Sequence, residues 1–508
     1  MVGTFWALVP AIVAIVLALV TKEVYSSLFI GILIGGVFYS GFSFSGFLTH
    51  VVSDGLVANI ANAYNIGILI FLVILGAMVS LMNKAGGSAA FGNWAKKHIK
   101  TRVGAQIATI FLGILIFIDD YFNCLTLGSV MRPVTDKYGV SREKLAYIID
   151  STAAPVCIIA PISSWAAAVS GFVTGGENGI ALFCKAIPYN FYALFTIVMM
   201  FALVLLDADF GPMLKFEKAK DIMNKKADEL SEEKNEKGKV IDLVFPVVVL
   251  IIMCTIGMLY SGGFFDKESE SYINFITAFS NSDASVGLVL GSLASIIVTV
   301  IFYLCRRVLS FKDCMNCLPE GFKSMVPAIL ILCLAWTLKG MTDSLGAKEY
   351  VAGIVEGAAG NLMSFLPAIV FVIAALLAFA TGTSWGTFGI LIPICIAIFP
   401  DAANPLRIIS MSACMAGAVC GDHISPISDT TIMASAGAQC DHVNHVSTQL
   451  PYALLVAGIS FVTYIIAGLV KNPILPFIVG VALLIGVLFF IKYVILNGKK
   501  SIENPDDK

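Results

Sequence analysis

Long apolar segments recur along this chain, and they constrain its fold more than any other feature. A helix needs about 20 apolar residues to cross the hydrocarbon core of a bilayer, whereas the strands of a membrane barrel alternate in polarity. Runs of roughly this length and with almost no charge lie at 5–21, 24–41, 66–82, 103–118, 145–170, 189–206, 243–260, 286–305, 325–338, 362–380, 385–399, 408–433, 452–470 and 475–491. The sequence therefore predicts an all-α polytopic membrane protein.

The charged residues are few and unevenly spread. Asp, Glu, Lys and Arg make up 13% of the 508 residues, whereas about a quarter is usual in a soluble domain. Eight Lys and nine Asp or Glu lie within residues 207–239 alone, so the rest of the chain has too few charges to cover a soluble globule. A water-soluble enzyme is excluded, and a net charge of −2 offers no basic face for nucleic acid.

The second half of the chain repeats motifs of the first at offsets of 256 to 267 residues. Matching segments follow in the same order: Gly31 and Gly35 with Gly287 and Gly291, 123–128 with 384–389, and 160–163 with 425–428. Chance similarity between apolar helices is the alternative. The pattern predicts a first membrane repeat at 1–207, a charged cytoplasmic linker at 208–240, a second membrane repeat at 241–470, and an extra C-terminal span with a cytoplasmic tail at 471–508.

The Lys and Arg residues predict that the two repeats are inverted relative to each other. Cytoplasmic loops collect Lys and Arg, and an outside N-terminus with a cytoplasmic linker and C-terminus places 26 of these residues inside and six outside. Segments 103–131 and 362–399 then enter and leave on the same side. Each repeat is therefore predicted to contain a re-entrant hairpin, with turns near 119–123 and 381–384.

Four polar clusters interrupt the apolar runs. Charged and polar side chains at membrane depth are costly and usually serve a function, although Ser, Thr and Gly also simply pack helices together. The candidate ion-binding or substrate-binding residues are Asp119, Asp120, Asn123 and Thr126; Asp150, Ser151, Thr152 and Ser163; Thr383, Ser384 and Thr387; and Asp422, His423, Ser425, Ser428, Asp429 and Thr430.

Proline residues predict broken helices within these clusters. Pro155, Pro161 and Pro426 each remove a helix hydrogen bond and free a carbonyl upstream, and carbonyl, carboxylate and hydroxyl oxygens suit a small hard cation such as sodium. The sodium candidates are Asp422, Asp429 and Asp120.

A buried carboxylate can also exchange a proton for sodium, and Asp422 and Asp429 are the first choice for that role. His423 is a candidate proton relay or an ordinary hydrogen-bond partner. Two structural alternatives remain open. One of Asp119 and Asp120 would only cap a hairpin turn, and Asp150 would only lie at the membrane interface.

Two further motifs resemble metal sites. Cys314 and Cys317 form a lone pair in a predicted loop, and His442 and His445 lie in a predicted cytoplasmic loop without a Glu base. Because neither has further ligands at a suitable spacing, metal binding is the less favoured interpretation. We expect no cofactor other than the coupling ions sodium and protons.

Two motifs resemble the NhaC family of sodium/proton antiporters: the run 117–123 (Phe-Ile-Asp-Asp-Tyr-Phe-Asn) and the run 421–431 (Gly-Asp-His-Ile-Ser-Pro-Ile-Ser-Asp-Thr-Thr). The resemblance extends from Phe5 to about Val470. It implies an inverted-repeat exchanger of the plasma membrane with elevator-like motion, often a homodimer. The same family name covers sodium-coupled carriers of organic acids and amino acids, so the resemblance does not decide the substrate.

The leading hypothesis is a secondary active transporter that exchanges sodium for protons by alternating access. The alternative is a sodium-coupled carrier of a small organic acid or amino acid, because Asn123, Thr383, Ser384 and Trp385 offer more polar and aromatic groups than a bare ion needs. A membrane-embedded enzyme is less favoured, since only His423 is available at depth for catalysis. The expected partners are small ions, a small organic solute in the alternative, and the lipid bilayer.

Overall fold

The computed structural model describes residues 2–21, 23–87, 90–91, 94, 99–117, 120–161, 163, 165, 169, 179–227, 238–347, 349–350, 353, 363–401 and 403–496. Throughout these ranges the chain folds into helices joined by short loops, and no strand forms among them. The prediction of an all-α protein is confirmed.

The helices of the first half precede the charged segment. They are α1 (Val9–Thr21), α2 (Val24–Ser40), α3 (Ala63–Lys84), α4 (Arg102–Leu115), α5 (Asp120–Lys137), α6 (Arg142–Thr152), α7 (Ala154–Cys157), α8 (Gly179–Ala186) and α9 (Phe191–Leu206), with α10 (Gly211–Ala227) in the charged segment itself. Shorter helical turns lie at Phe5–Ala7, Phe44–Leu48, Thr49–Val57, Ala58–Ile60 and Ile187–Tyr189.

The helices of the second half follow the charged segment. They are α11 (Ile241–Ser261), α12 (Phe275–Ser280), α13 (Ala284–Cys305), α14 (Phe311–Ser344), α15 (Leu366–Thr381), α16 (Ser384–Ile398), α17 (Pro405–Ile424), α18 (Asp429–Ala438), α19 (His442–Val470) and α20 (Ile474–Phe490). Turns at Met363–Phe365 and Ile491–Leu496 flank them.

Capping residues in the sequence account for where many of these helices begin and end. The side chains of Asn62, Thr101 and Asp283 accept hydrogen bonds from the first backbone N–H groups of α3, α4 and α13, which satisfies donors that have no partner inside the helix. Gly41 and Gly382 end α2 and α15 in the left-handed conformation, which glycine adopts without steric cost.

Helix length supports a membrane protein with many spans. Among the described residues, seven helices are long and apolar enough to cross a bilayer, or nine if two bent pairs each count as one span. One bent pair joins Ala181–Tyr189 to Phe191–Leu206 at 52°, and the other joins α17 to α18 at 48°. The polytopic prediction is thereby confirmed, while the inversion of the two repeats stays a prediction.

One sequence-based boundary is wrong. The predicted loop at 306–323 is largely helical because α14 begins at Phe311 with a Ser310 capping box, and the helix buries Cys314 and Cys317 instead of presenting them in a loop. The helix break predicted from Pro155 within the run 145–170 is confirmed, and it lies at Ala153 between α6 and α7.

The charged segment does more than connect the halves. Glu217 of α10 pairs with Arg102 at the start of α4, and its other oxygen accepts a hydrogen bond from the backbone N–H of Ser141 at 2.7 Å. Asp209 pairs with the buried Lys144 of α6. These contacts place the starts of α4 and α6 at the same face of the protein as the charged segment.

Two helical hairpins and two broken helices position the polar clusters. Helices α4 and α5 form one hairpin, and α15 and α16 form the other. The predicted turn at 381–384 agrees with the break at Gly382 and Thr383, whereas the turn predicted at 119–123 lies slightly earlier, because α5 already begins at Asp120. The broken helices are α6 with α7 and α17 with α18.

Candidate functional site

The tip of the second hairpin packs directly on the break between α17 and α18. Ser425 donates a hydrogen bond to the carbonyl of Phe379 at 2.8 Å, and a Cβ added to Gly382 would lie only 2.5 Å from the carbonyl oxygen of Ile427. Real Cβ atoms do not approach this closely, so the contact depends on a glycine, which also has a φ of +65°. The hairpin tip and the helix break therefore form one polar centre.

Asp422 lies at this centre and is almost completely buried, with 1% of its surface exposed. Its Oδ2 accepts a hydrogen bond from the Ser384 hydroxyl at 2.8 Å. Its Oδ1 has no hydrogen-bond partner within the part of the chain that the structure describes. A buried carboxylate oxygen without a donor is costly, and a bound cation or proton would satisfy it.

Asp429 begins α18 on the other side of the break and is half-buried. Its Oδ2 accepts a hydrogen bond from the Tyr121 hydroxyl of α5 at 2.6 Å, and its Oδ1 accepts one from the backbone N–H of Thr430 at 3.0 Å. Asp422 and Asp429 are close enough to interact electrostatically. The break thus holds two carboxylates, one buried and one accessible.

A cavity of about 550 Å³ reaches Asp429. The hairpin tip contributes Thr381, Gly382, Thr383 and Trp385 to its wall, and α14 contributes Lys339. Asparagines 59, 65 and 281 add amide groups from loops and from the start of α3. The cavity is lined by polar and apolar side chains in similar measure and contains one lysine, Lys339, and two acids, Asp283 and Asp429, among the described residues. It is much larger than a single ion needs.

The first hairpin meets the break between α6 and α7 in a different way. Asn123 is fully buried, and its amide nitrogen donates to the carbonyls of Gly113 at 2.8 Å, Ile116 at 3.1 Å and Thr152 at 2.9 Å. Cys157 is close to the carbonyl of Phe117 at 3.3 Å. Side chains of this half therefore bind backbone carbonyls at this break.

A third polar cluster surrounds Asp150, which is buried inside the protein. Its Oδ2 lies 3.3 Å from Nε2 of His445 and 4.0 Å from Nε2 of His423, and it accepts a hydrogen bond from Gln449 at 2.8 Å. His442 and His445 lie in the first turns of α19 and are buried, so the prediction that they belong to a cytoplasmic loop is wrong. No group of three or more metal-ligating side chains occurs among the described residues.

The remaining predicted residues serve mainly in local contacts. The hydroxyls of Thr152, Ser163 and Thr387 donate to carbonyls of nearby residues on the same segment, and Ser428 caps α18 and contacts the Thr430 hydroxyl at 2.9 Å. Ser151 contacts His423 at 3.3 Å. Asp120 and Thr126 are buried on α5, and Asp119 lies outside the described residues.

The structure adds residues that the sequence motifs did not single out as site residues. Tyr121 lies within the run 117–123, but aromatic residues are common in membrane helices, so the motif alone does not indicate that Tyr121 belongs to the site. His445 and Gln449 lie three and seven residues after the first residue of α19, so both side chains are on the same face of this helix. The sequence could indicate this shared face only if the start of α19 were known. Lys339 is one of the six Lys and Arg residues that the sequence analysis places in outside loops, whereas it lies inside α14 and lines the cavity.

The sequence is similar to several known proteins. A sequence model described as the Na+/H+ antiporter family matches residues 156–469. An uncharacterised protein of Haemophilus influenzae is 39% identical over 503 residues, covering 96% of each chain. The malate-2H+/Na+-lactate antiporter of Bacillus subtilis is 30% identical over 164 residues, which are 31% of this chain and 33% of that protein.

An uncharacterised Na+/H+ antiporter of Haemophilus influenzae is 29% identical over 163 residues, which are 31% of this chain and 33% of that protein. Among solved structures, Neisseria gonorrhoeae MtrF superposes with a TM-score of 0.37 at 13% identity, covering 91% of this chain and 94% of that one. The family match covers more than half of the chain, and the family and its named relatives are transporters rather than enzymes. This integral membrane protein is a secondary transporter and belongs to the Na+/H+ antiporter family.

Proposed function

We propose that the protein exchanges sodium for protons by alternating access and that Asp422 and Asp429 bind the ions. The observation that supports this most directly is the buried Asp422, which has one oxygen bound to Ser384 and the other without a donor, beside a second carboxylate that lines a cavity.

Charge balance favours a cation at this centre. Neither Asp422 nor Asp429 has a Lys or Arg within 4.0 Å among the described residues. Because a buried carboxylate without a paired charge is strongly disfavoured, a cation would stabilise Asp422, whereas Asp429 is half-buried and shares the cavity with Lys339. A sodium ion needs the ionised oxygens that a proton would occupy, so the two ions compete for the same carboxylates and are exchanged rather than carried together.

The position of the cavity supports alternating access. Its wall includes Asn59, Asn65 and residues 281–283, which belong to segments that the Lys and Arg distribution assigns to the outside. The contacts of Asp209 and Glu217 mark the opposite face, which we assign to the cytoplasm. Asp429 is thus accessible from the outside in this conformation, and transport requires a second conformation that opens the centre to the linker face. We place the protein in the plasma membrane, with a homodimer as the expected assembly.

The test is sodium-driven proton movement in proteoliposomes with a pH-sensitive dye inside. In the wild type, protons should move in the direction opposite to sodium. Sodium that flows into the vesicles should therefore alkalinise the lumen, and sodium that flows out should acidify it. Asp422→Asn and Asp429→Asn should abolish the signal while the purified variants elute as the wild type does on size exclusion. Absence of any sodium-driven signal from the wild type at every pH tested would contradict the proposal.

A second candidate is a carrier of a small organic anion, and the cavity favours it. A volume of about 550 Å³ falls within the range of small-molecule sites, and Lys339 beside the amides of Asn59 and Asn65 could bind a carboxylate. A relative carries malate and lactate in its name. Uptake of labelled organic acids and amino acids that is lost in Lys339→Gln would support this candidate, whereas full sodium/proton exchange without any organic solute would favour a bare-ion antiporter.

A further inference from the structure

We propose that His50 is a pH-sensitive latch that holds one wall of the cavity in place and releases it when the outside becomes acidic. His50 lies between α2 and α3 in residues 49–60, here called the outer segment, which consists of a π-helix, Thr49–Val57, and a helical turn, Ala58–Ile60. π-Helical turns are rare and are frequent at functional sites. The Lys and Arg distribution assigns this segment to the outside.

The outer segment packs on the end of α14 and reaches the cavity. A Cβ added to Gly55 would lie 2.4 Å from Cε of Met341, and one added to Gly340 would lie 2.6 Å from the amide nitrogen of Asn59. That nitrogen donates a hydrogen bond to the carbonyl of Gly55 at 2.7 Å. Asn59 lines the cavity together with Lys339 of α14. The packing of the outer segment therefore determines the position of one cavity wall.

His50 fastens the outer segment to α14. It is 5% exposed, and its Nε2 lies 2.9 Å from the Ser344 hydroxyl. This hydroxyl donates its hydrogen to the carbonyl of Met341 at 3.0 Å, so its oxygen accepts a hydrogen from His50. In the neutral ring Nε2 therefore carries the hydrogen and Nδ1 does not. The ring also stacks on Tyr39 of α2, with the ring centroids 3.7 Å apart.

A second proton on His50 lacks an acceptor in this arrangement. It would bind to Nδ1, which is buried and has no hydrogen-bond partner within the described chain. Oδ2 of Asp54 is 3.6 Å away, which is too far for a hydrogen bond. Because a buried charged donor without an acceptor is costly, the protonated ring is more stable when it turns toward water and Asp54, whose side chain is 59% exposed. That turn withdraws Nε2 from Ser344 and releases the outer segment.

The charged and titratable groups around His50 leave its packed form neutral. Asp54 is the acid of the outer segment, and Tyr39 is the titratable residue of α2 beside the ring. The preceding turn, 44–48, has no titratable residue, and on α14 Lys339 pairs with Asp343 at 3.4 Å. Burial lowers the pKa of His50 below its usual value, although Asp54 opposes this shift.

Packing of the outer segment should weaken as the outside becomes acidic. The packed segment holds His50 in its neutral form, whereas the released segment lets water solvate the imidazolium. Packing is therefore most stable above the usual imidazole pKa of about 6.5 and becomes weaker as the pH falls below that value. Acid on the outside should loosen the cavity wall at Asn59 and weaken binding from that side, and a return to alkaline pH should restore both.

Hydrogen exchange of the purified full-length protein measures this release, once it is corrected for the intrinsic pH dependence of amide exchange. Wild-type amides 49–60 should be about two- to fivefold less protected near pH 5.5 than near pH 8, as expected for a pKa difference of about half a unit to one unit between the packed and released states. His50→Gln stays neutral and can still donate to Ser344, so its protection should not depend on pH.

Two further variants test the role of the carboxylate. In Asp54→Asn the protonated ring loses the acid that stabilises it, so the loss of protection should need a lower pH than in the wild type. Asp266→Asn is the matched control, because Asp266 is an exposed acid in another loop that the Lys and Arg distribution assigns to the outside. This control should keep the wild-type pH dependence.

Sodium affinity from the outside gives a second measurement, which rests on the proposed function. His50→Gln should match the wild type near pH 8 and bind sodium about two- to fivefold more tightly than the wild type near pH 5.5. The same pH dependence of protection in the wild type and in His50→Gln would overturn the inference. If His50→Gln does not fold, an unshifted midpoint in Asp54→Asn would overturn it. Hydrogen exchange needs no transport, so a wild type that exchanges no protons for sodium would refute only the proposed function.

Discussion

The two helix breaks of this protein share a layout and differ in chemistry. In each half, the tip of a helical hairpin packs against a broken helix. At the first break, the amide of Asn123 binds the carbonyls of Gly113, Ile116 and Thr152. At the second, Ser384 of the hairpin binds the carboxylate of Asp422, and a second carboxylate, Asp429, faces a cavity.

The difference shows that the scaffold and the ion site are separable. A helix break frees carbonyl oxygens that must be satisfied, and an internal amide does this at the first break without any ligand. At the second break the side chains themselves are acids, which a cation or a proton would stabilise. Under the proposed function only the second break binds an ion, so variants at equivalent positions should have unequal effects.

The largest expected contrast is between Asp422→Asn and Cys157→Ser. The offset of 265 residues that pairs 160–163 with 425–428 also pairs these two positions. Loss of one charged partner from a buried site costs about 3–5 kcal/mol, so Asp422→Asn should lower sodium transport roughly 100-fold or more. Cys157→Ser retains a donor for the carbonyl of Phe117 and should stay within about twofold of the wild type. Radioactive sodium flux measures both, and equal losses in the two variants would show that the breaks are functionally equivalent.

The next contrast, between Asn123→Ala and Ser384→Ala, separates an effect on the stability of the protein from an effect on its sodium affinity. Asn123→Ala removes the amide that donates to the carbonyls of Gly113, Ile116 and Thr152. An amide has two N–H hydrogens, and at about 0.6 kcal/mol for each bond in a membrane protein the loss is roughly 1 kcal/mol. Thermal unfolding in detergent should therefore begin at a lower temperature, whereas the sodium affinity of the folded fraction should be nearly unchanged. Ser384→Ala should do the reverse, with weaker sodium binding and a smaller change in unfolding temperature. A sodium affinity reduced more by Asn123→Ala than by Ser384→Ala would contradict the assignment of roles.

The sequence predicted the membrane class, the family resemblance and the acids at the second break, because these depend on local composition and on a compact motif. It could not predict that His445 and Gln449 reach Asp150, since that contact joins helices almost 300 residues apart and depends on where α19 begins. Lys339 was missed for a similar reason. A charge near the end of an apolar run is typical of a loop, and only the 34-residue length of α14 shows that it lies inside a helix.

A smaller effect is expected from Gly382→Ala, which tests whether the hairpin tip must touch the break. A non-glycine residue with a left-handed backbone costs about 1–2 kcal/mol, and the added Cβ would also displace the Ile427 carbonyl. Sodium affinity should fall about tenfold. Gly458→Ala on α19 is the control, since a Cβ there has no atom within 4 Å. Equal affinities in the two variants would show that the contact does not position the site.

The smallest predicted effect concerns one of the contacts between the first hairpin and the second break. The Tyr121 hydroxyl of α5 donates to Asp429 at 2.6 Å, and a hydrogen bond to a charged group contributes about 1.5 kcal/mol or less at a site that is only half-buried. Tyr121→Phe should therefore change the sodium affinity roughly five-fold to tenfold while leaving the maximal flux close to that of the wild type. Tyr464→Phe, which removes a hydroxyl that donates to the carbonyl of Tyr189 at 2.8 Å, should leave the sodium affinity unchanged. If Tyr121→Phe also behaves as the wild type, the two halves contribute to the ion site independently, and the first hairpin acts only as a support.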